Sequence, residues 1–187
     1  MVEVEKKYTK AATLVADFTQ TNEIAALNQK KVSSGRIVVK QPGKVRWETT
    51  KPDSSVMVSD GKKFWFYTPP FDESEHGQLI ERKSSEMQTR LLNALLSGSF
   101  SLAREMKIKR LGNSKFTLTP KPGSAGTVAH AEITVDPKEK LITQVLLQHV
   151  GGNRSEITLS NIKLGDPLPD AVFVFIPPPN TDRVDAN

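Results

Sequence analysis

No cysteine occurs among the 187 residues of this chain. Disulfides, thiolate metal sites and cysteine nucleophiles are excluded, and the redox compartment is left open. Long hydrophobic runs are missing as well. No stretch approaches the roughly 18 apolar residues that cross a bilayer as a helix. The opening residues Met1-Val2-Glu3-Val4-Glu5-Lys6-Lys7 lack the apolar core of a signal peptide. The expectation is either a cytosolic protein or a mature form with an added initiator Met. Histidine is scarce, and His76, His130 and His149 have no metal-ligand spacing. There is no G-x-S-x-G elbow and no phosphate-cradling glycine loop. The acidic run Asp72-Glu73-Ser74-Glu75 follows Pro69-Pro70 and reads as a solvated loop rather than a catalytic carboxylate pair. These absences point to a non-enzyme without cofactor or metal.

What is present is ordinary in bulk. Hydrophobic content is 37% and charged content 25%, which suits a globular chain forming one domain over residues 1–187. The formal charge is +5, with a pI near 9.4. Lys and Arg are scattered singly or in pairs, with Glu and Asp between them. They form neither a run nor a recognition helix, so nucleic acid is not an expected partner.

The pattern is that of an antiparallel meander. Turn formers at Ser33-Ser34-Gly35, Pro42-Gly43, Asp60-Gly61, Gly112-Asn113, Asp136-Pro137 and Gly151-Gly152-Asn153 separate runs rich in β-branched and aromatic residues. Ten or eleven strands are predicted, among them Lys44–Thr50, Ser54–Ser59, Lys63–Thr68, Arg154–Ile162 and Val172–Ile176. Val4–Ala16 has apolar residues three or four apart and predicts a first helix, handing over to a strand near Leu14. Met87–Leu96 carries a broad apolar stripe, with Ser85 and Gln88 as a capping box and Gly98 as a stop, which predicts a helix over 86–97. A sheet this long must curl to hide an apolar face. The predicted fold is mainly β (α+β): an incomplete antiparallel barrel with a lid of two or three helices.

Strand parity and the helix stripe select Phe18, Val45, Trp47, Val56, Val58, Phe66, Met87, Leu91 and Leu95 as lining an apolar cavity. Each aromatic taken alone reads first as ordinary core, and the aromatics on both parities of Phe64–Tyr67 suit a strand packed on both sides. The residues by themselves reach a curled sheet with helices on one face, holding either a packed interior or an apolar ligand.

Several segments go further. Lys40-Gln41-Pro42, Arg46-Trp47-Glu48, Lys51-Pro52-Asp53, Val58-Ser59-Asp60-Gly61 and Phe64-Trp65-Phe66-Tyr67-Thr68-Pro69 resemble the outer-membrane lipoprotein carrier family. So do Phe18-Thr19-Gln20, Phe116–Pro120 and Phe173–Pro178. The resemblance implies an unclosed barrel lidded by helices and a monomeric carrier in the periplasm. It implies that acylated lipoproteins are received from an inner-membrane ABC transporter complex and passed to an outer-membrane receptor, their acyl chains held in the cavity. Two alternatives share the fold: that receptor itself, lacking here its lipidated cysteine, and a non-enzymatic envelope protein-binding module. One position departs from the pattern. Where family members carry an arginine that clasps the helical lid, this chain has Gln41, an uncharged lid contact.

Overall fold

The computed structural model describes residues 2–72, 74–83, 106–121 and 128–184. The helix expected over 86–97 lies outside the described residues. One helix, α1 (Val2–Ala11), precedes the strands. Its apolar stripe is short, with Val4 and Tyr8 one turn apart on the buried side. Glu3 and Glu5 in the first turn and Lys10 in the last complement the helix dipole. The helix is shorter than the expected Val4–Ala16. Ala12 takes a left-handed conformation (φ 60°) and donates its N–H to the Tyr8 carbonyl at 2.9 Å, ending it there.

The strands are β1 (Thr13–Ile24), β2 (Gln29–Lys40), β3 (Lys44–Lys51), β4 (Ser55–Asp60), β5 (Lys63–Thr68) and β6 (Gly77–Lys83). They continue with β7 (Met106–Arg110), β8 (Lys115–Pro120), β9 (Val128–Val135), β10 (Ile142–His149), β11 (Arg154–Leu164) and β12 (Thr181–Arg183). All join one sheet in the order β12-β6-β5-β4-β3-β2-β1-β11-β10-β9-β8-β7, whose two ends do not pair, so the barrel is unclosed. Neighbours are antiparallel except β12, which runs parallel to β6. Among the described residues no helix is long and apolar enough to cross a membrane.

Two irregularities bend the sheet at its centre. Between β1 and β11 the register shifts, with Asn161 left-handed (φ 50°) and its amide donating to Asp17 at 2.7 Å. A bulge of this kind increases local twist. Between β2 and β3 the register shifts beside Gly35. A Cβ on Gly35 would stand 1.8 Å from the Glu48 carbonyl oxygen, so only glycine permits this approach of the two backbones.

The sheet has two differently covered faces. α1 lies on the inner face, where Val4 and Tyr8 join one core with Leu14, Ile37, Ile133 and Ile157. A C-terminal strap, residues 165–180, crosses the outer face of β2–β5 before β12 docks on β6. Instead of the expected strand Val172–Ile176, the strap contains a 3-10 turn at Asp170–Phe173. Pro167, Pro169 and Pro177–Pro179 flank it and cannot donate to a ladder. Phe173 is fully buried beneath it, and Phe175 packs on Tyr67 with ring centroids 5.3 Å apart.

Candidate functional site

Cross-strand register decides which residues share a face, because directly opposed residues point the same way. Phe18 opposes Gly35 on β2 and Leu159 on β11. Ile37 opposes Trp47, and Val39 opposes Val45. Trp47 in turn opposes Met57, which opposes Phe66. Phe18, Val45, Trp47 and Phe66 therefore share the inner face of the sheet. Phe18 and Trp47 form its aromatic centre, with centroids 4.3 Å apart and rings tilted by 46°.

Val56 and Val58 are a correction. Val58 opposes Arg46 and Trp65, and Val56 opposes Glu48 and Tyr67, so both valines belong to the outer face. There they pack with Trp65, Tyr67 and Leu79 under the strap rather than in a cavity with Trp47. Met87, Leu91 and Leu95 lie outside the described residues.

Beyond the expected residues, the inner face continues through Leu159, Ile157, Val145 and Ile133 to Leu118, all buried in the same core as Phe18 and Trp47. Sequence reasoning left these out of the site, although the alternation Ile157, Leu159 in β11 carried the signal. On the other side of Trp47 the inner face is less covered, with Met57, Phe66 and Ile80 half-buried. Where the start of α1 meets the β7–β8 and β9–β10 turns, a cleft of about 300 Å³ opens. Its walls are the apolar Val4, Phe116 and Val135, with Glu3, Arg110 and Lys140 at the rim.

α1 is held over this face at both ends. The Tyr8 hydroxyl accepts a hydrogen bond from the Ile142 backbone N–H at 2.9 Å, and burial pushes the Tyr8 phenol up to about 12. Lys7 donates to the Glu139 carbonyl, and Lys140 pairs with Glu3 at 3.4 Å. At the other end the Gln41 backbone N–H donates to the Ala12 carbonyl at 2.8 Å. Gln41 also shares a narrow crevice with Tyr8 and Thr13. The residue expected at the lid thus sits against the corner where α1 becomes β1.

On the outer face, Asp170 of the strap is forked between Lys40 (2.7 Å) and Lys44 (2.8 Å). Hydrogen bonds from Lys40 and then Lys44 hold its carboxyl down at about 2. Lys40 also donates to the Leu168 carbonyl, and Arg46 to that of Val172. The polar parity of β2–β3 is spent fastening the strap, and the apolar parity faces α1. Among the described residues no group of His, Asp and Glu side chains is placed to hold a metal ion.

The family model described as outer membrane lipoprotein carrier protein LolA matches residues 9–176. An outer-membrane lipoprotein carrier protein of Dechloromonas aromatica is 32% identical over 92% of this chain and 81% of its own length. Its namesake in Klebsiella pneumoniae is 31% identical over 94% and 83%. Among solved structures, a LolA superfamily protein from Nitrosomonas europaea aligns with a TM-score of 0.50 at 12% identity, covering 93% of this chain and 97% of that one. An uncharacterized conserved protein from Thermus thermophilus aligns with a TM-score of 0.54 at 14% identity, covering 98% of both. At those identities the structural likeness is one of fold. The family match spans the strands that build the inner face, from β1 through β11, and the chain belongs to the outer membrane lipoprotein carrier protein family.

Proposed function

We propose that this protein is a periplasmic carrier that holds the acyl chains of lipoproteins against its inner face and ferries them from the inner to the outer membrane. In this reading an inner-membrane ABC transporter complex hands over the cargo, and an outer-membrane lipoprotein receptor takes it. The observation that carries the reading is the unbroken apolar inner face running from Phe66 through Trp47 and Phe18 to Leu118. Each methylene removed from water is worth about 0.8 kcal/mol, so a chain of ~14 carbons gains on the order of 10 kcal/mol there. That is enough to hold an acyl chain in water without chemistry, and family membership supplies the class of cargo.

α1 is the element that must yield. It is only 10 residues long, below the length at which a helix is stable by itself, so its order depends on Val4, Tyr8 and their partners. A lid that folds only while docked can be displaced by a competing apolar chain.

The test is binding of a fluorescent long-chain acyl probe, together with lipid extraction of the purified protein. Trp47→Glu places a charge at the aromatic centre, and probe affinity should fall at least ten-fold while the circular dichroism spectrum stays β-rich. Undiminished binding by a folded Trp47→Glu protein would remove this face from the site. A wild-type protein that binds no acyl probe would refute the carrier reading.

A further inference from the structure

The apolar inner face has a polar border. Two residues beyond Phe18 on β1 stands Gln20, and two further Asn22; successive same-face residues are about 7 Å apart. In register with them on β11 are Ile157 and Ser155. Ser155 is only 8% exposed. The three polar side chains bond one another. Gln20 Nε2 donates to Ser155 Oγ at 2.8 Å and to Asn22 Oδ1 at 3.1 Å, and Ser155 Oγ donates to Asn22 Oδ1 at 2.6 Å.

Counting donors and acceptors fixes what is left over. Both hydrogens of Gln20 Nε2, the hydroxyl hydrogen of Ser155 and both lone pairs of Asn22 Oδ1 are used. Flipping one amide alone would oppose like atoms, and flipping both only exchanges the roles, so in either arrangement one acceptor and one donor are left over. Gln20 Oε1 and Asn22 Nδ2 have no partner among the described residues. One acceptor and one donor are thus presented side by side at the end of a hydrocarbon-lined face.

Resting on the carrier reading, we infer that Gln20, Asn22 and Ser155 form a binding site for the neutral carbonyl linkage at the head of an acyl chain. An acyl chain on a protein always ends in such a carbonyl, as ester or amide. Asn22 Nδ2 donates to that carbonyl oxygen, and Gln20 Oε1 accepts from an adjacent N–H or O–H. The hydrocarbon then runs from this border toward Phe18 and Trp47, and the cargo's polypeptide leaves past the β1–β2 tip. A free carboxylate fits less well, because it offers acceptors only and would set oxygen against Gln20 Oε1. The site orients the cargo and gives the carrier a preference for linked acyl chains over plain hydrocarbon.

The experiment measures partition of N-myristoylglycinamide, hexadecane and myristate from cyclodextrin into the full-length protein. Wild type, Asn22→Leu and Gln20→Met are compared, with hydrogen exchange in α1 as the check on folding. The expected result is a loss of about five-fold in amide binding for each variant, the size of one or two neutral hydrogen bonds. Hexadecane binding should be unchanged, and wild type should prefer the amide over myristate. Should Asn22→Leu fail to fold, Gln20→Met decides, because it preserves length and bulk. If amide and alkane binding change by the same factor, the polar border is structural and this inference falls while the carrier reading stands. If wild type takes up neither amide nor alkane, both fall.

Discussion

Tyr8 joins lid to sheet through one atom, and its chemistry can be tested alone. Tyr8→Phe keeps the ring in the core but leaves the buried Ile142 N–H without its acceptor. An orphaned buried donor costs about 1–3 kcal/mol, so the urea midpoint should fall accordingly and exchange at Ile142 should quicken. An unchanged midpoint would mean that the hydroxyl contributes nothing. The pH dependence follows from the raised phenol. Because its folded pKa of about 12 lies above the ordinary 10, the contribution is whole below pH 10 and is lost as pH climbs through about 12. Tyrosinate absorbance should show a late-titrating phenol in wild type that Tyr8→Phe lacks. At Gly35 the constraint is backbone contact, and Gly35→Ala should lower the melting temperature sharply, since the Glu48 carbonyl cannot retreat without breaking β2–β3. Not every residue at this scale was legible in the sequence. Phe18, Val45 and Trp47 were, because one parity of their strands is apolar and the other polar. Val56 and Val58 were not. Val56-Met57-Val58 is apolar on both parities, since β4 is covered by the inner core on one side and by the strap on the other, and alternation then names no face.

Elements were legible where local pattern and tertiary environment agree. The meander and its unclosed sheet follow from turn residues spaced along β-rich runs. The strap differs from expectation: Val172–Ile176 is a continuous β-branched and aromatic run like a strand, yet the prolines around it deny it a ladder, and it lies across the outer face instead. Its order rests on Phe173 beneath and on Asp170 between Lys40 and Lys44. The carboxyl lies below its ordinary value, so this hold is whole above about pH 4 and is lost as pH falls through about 2. Asp170→Asn should accelerate exchange at Val172 and Val174 and expose residues 166–176 to proteolysis. Global melting should barely move, because the pair is exposed and such bridges contribute little. Protection equal to wild type would show that Phe173 alone secures the strap. The polar trio had no complete sequence signal, because Ser155 lies 135 residues from Gln20 and 133 from Asn22, and only the register of β1 on β11 brings it to them.

For the whole molecule, the question is how readily the lid parts from the sheet, and Gln41 stands at the point where the answer is set. Its backbone N–H holds the Ala12 carbonyl, tying the α1–β1 corner to the end of β2, and any residue but proline there could supply that bond. The side chain differs. An arginine would add a charge and a rigid fork of donors toward lid carbonyls, and charge-assisted bonds are roughly twice as strong as neutral ones. On the proposed carrier reading, glutamine there would leave the docked state of α1 less favoured and a larger fraction of molecules ready to receive an acyl chain. Apparent affinity scales with that fraction. Gln41→Arg should therefore slow amide exchange across Val2–Ala11 and weaken acyl-probe binding by a few-fold, with most of the loss in the association rate. Lys40 cannot substitute for the missing charge, since it is engaged with Asp170 and Leu168 on the outer face. Equal exchange and equal affinity in the two proteins would move control of the lid elsewhere, to Tyr8 and the β9–β10 turn that grips the start of α1. Slower exchange with unchanged affinity would mean that acyl chains enter without displacing α1.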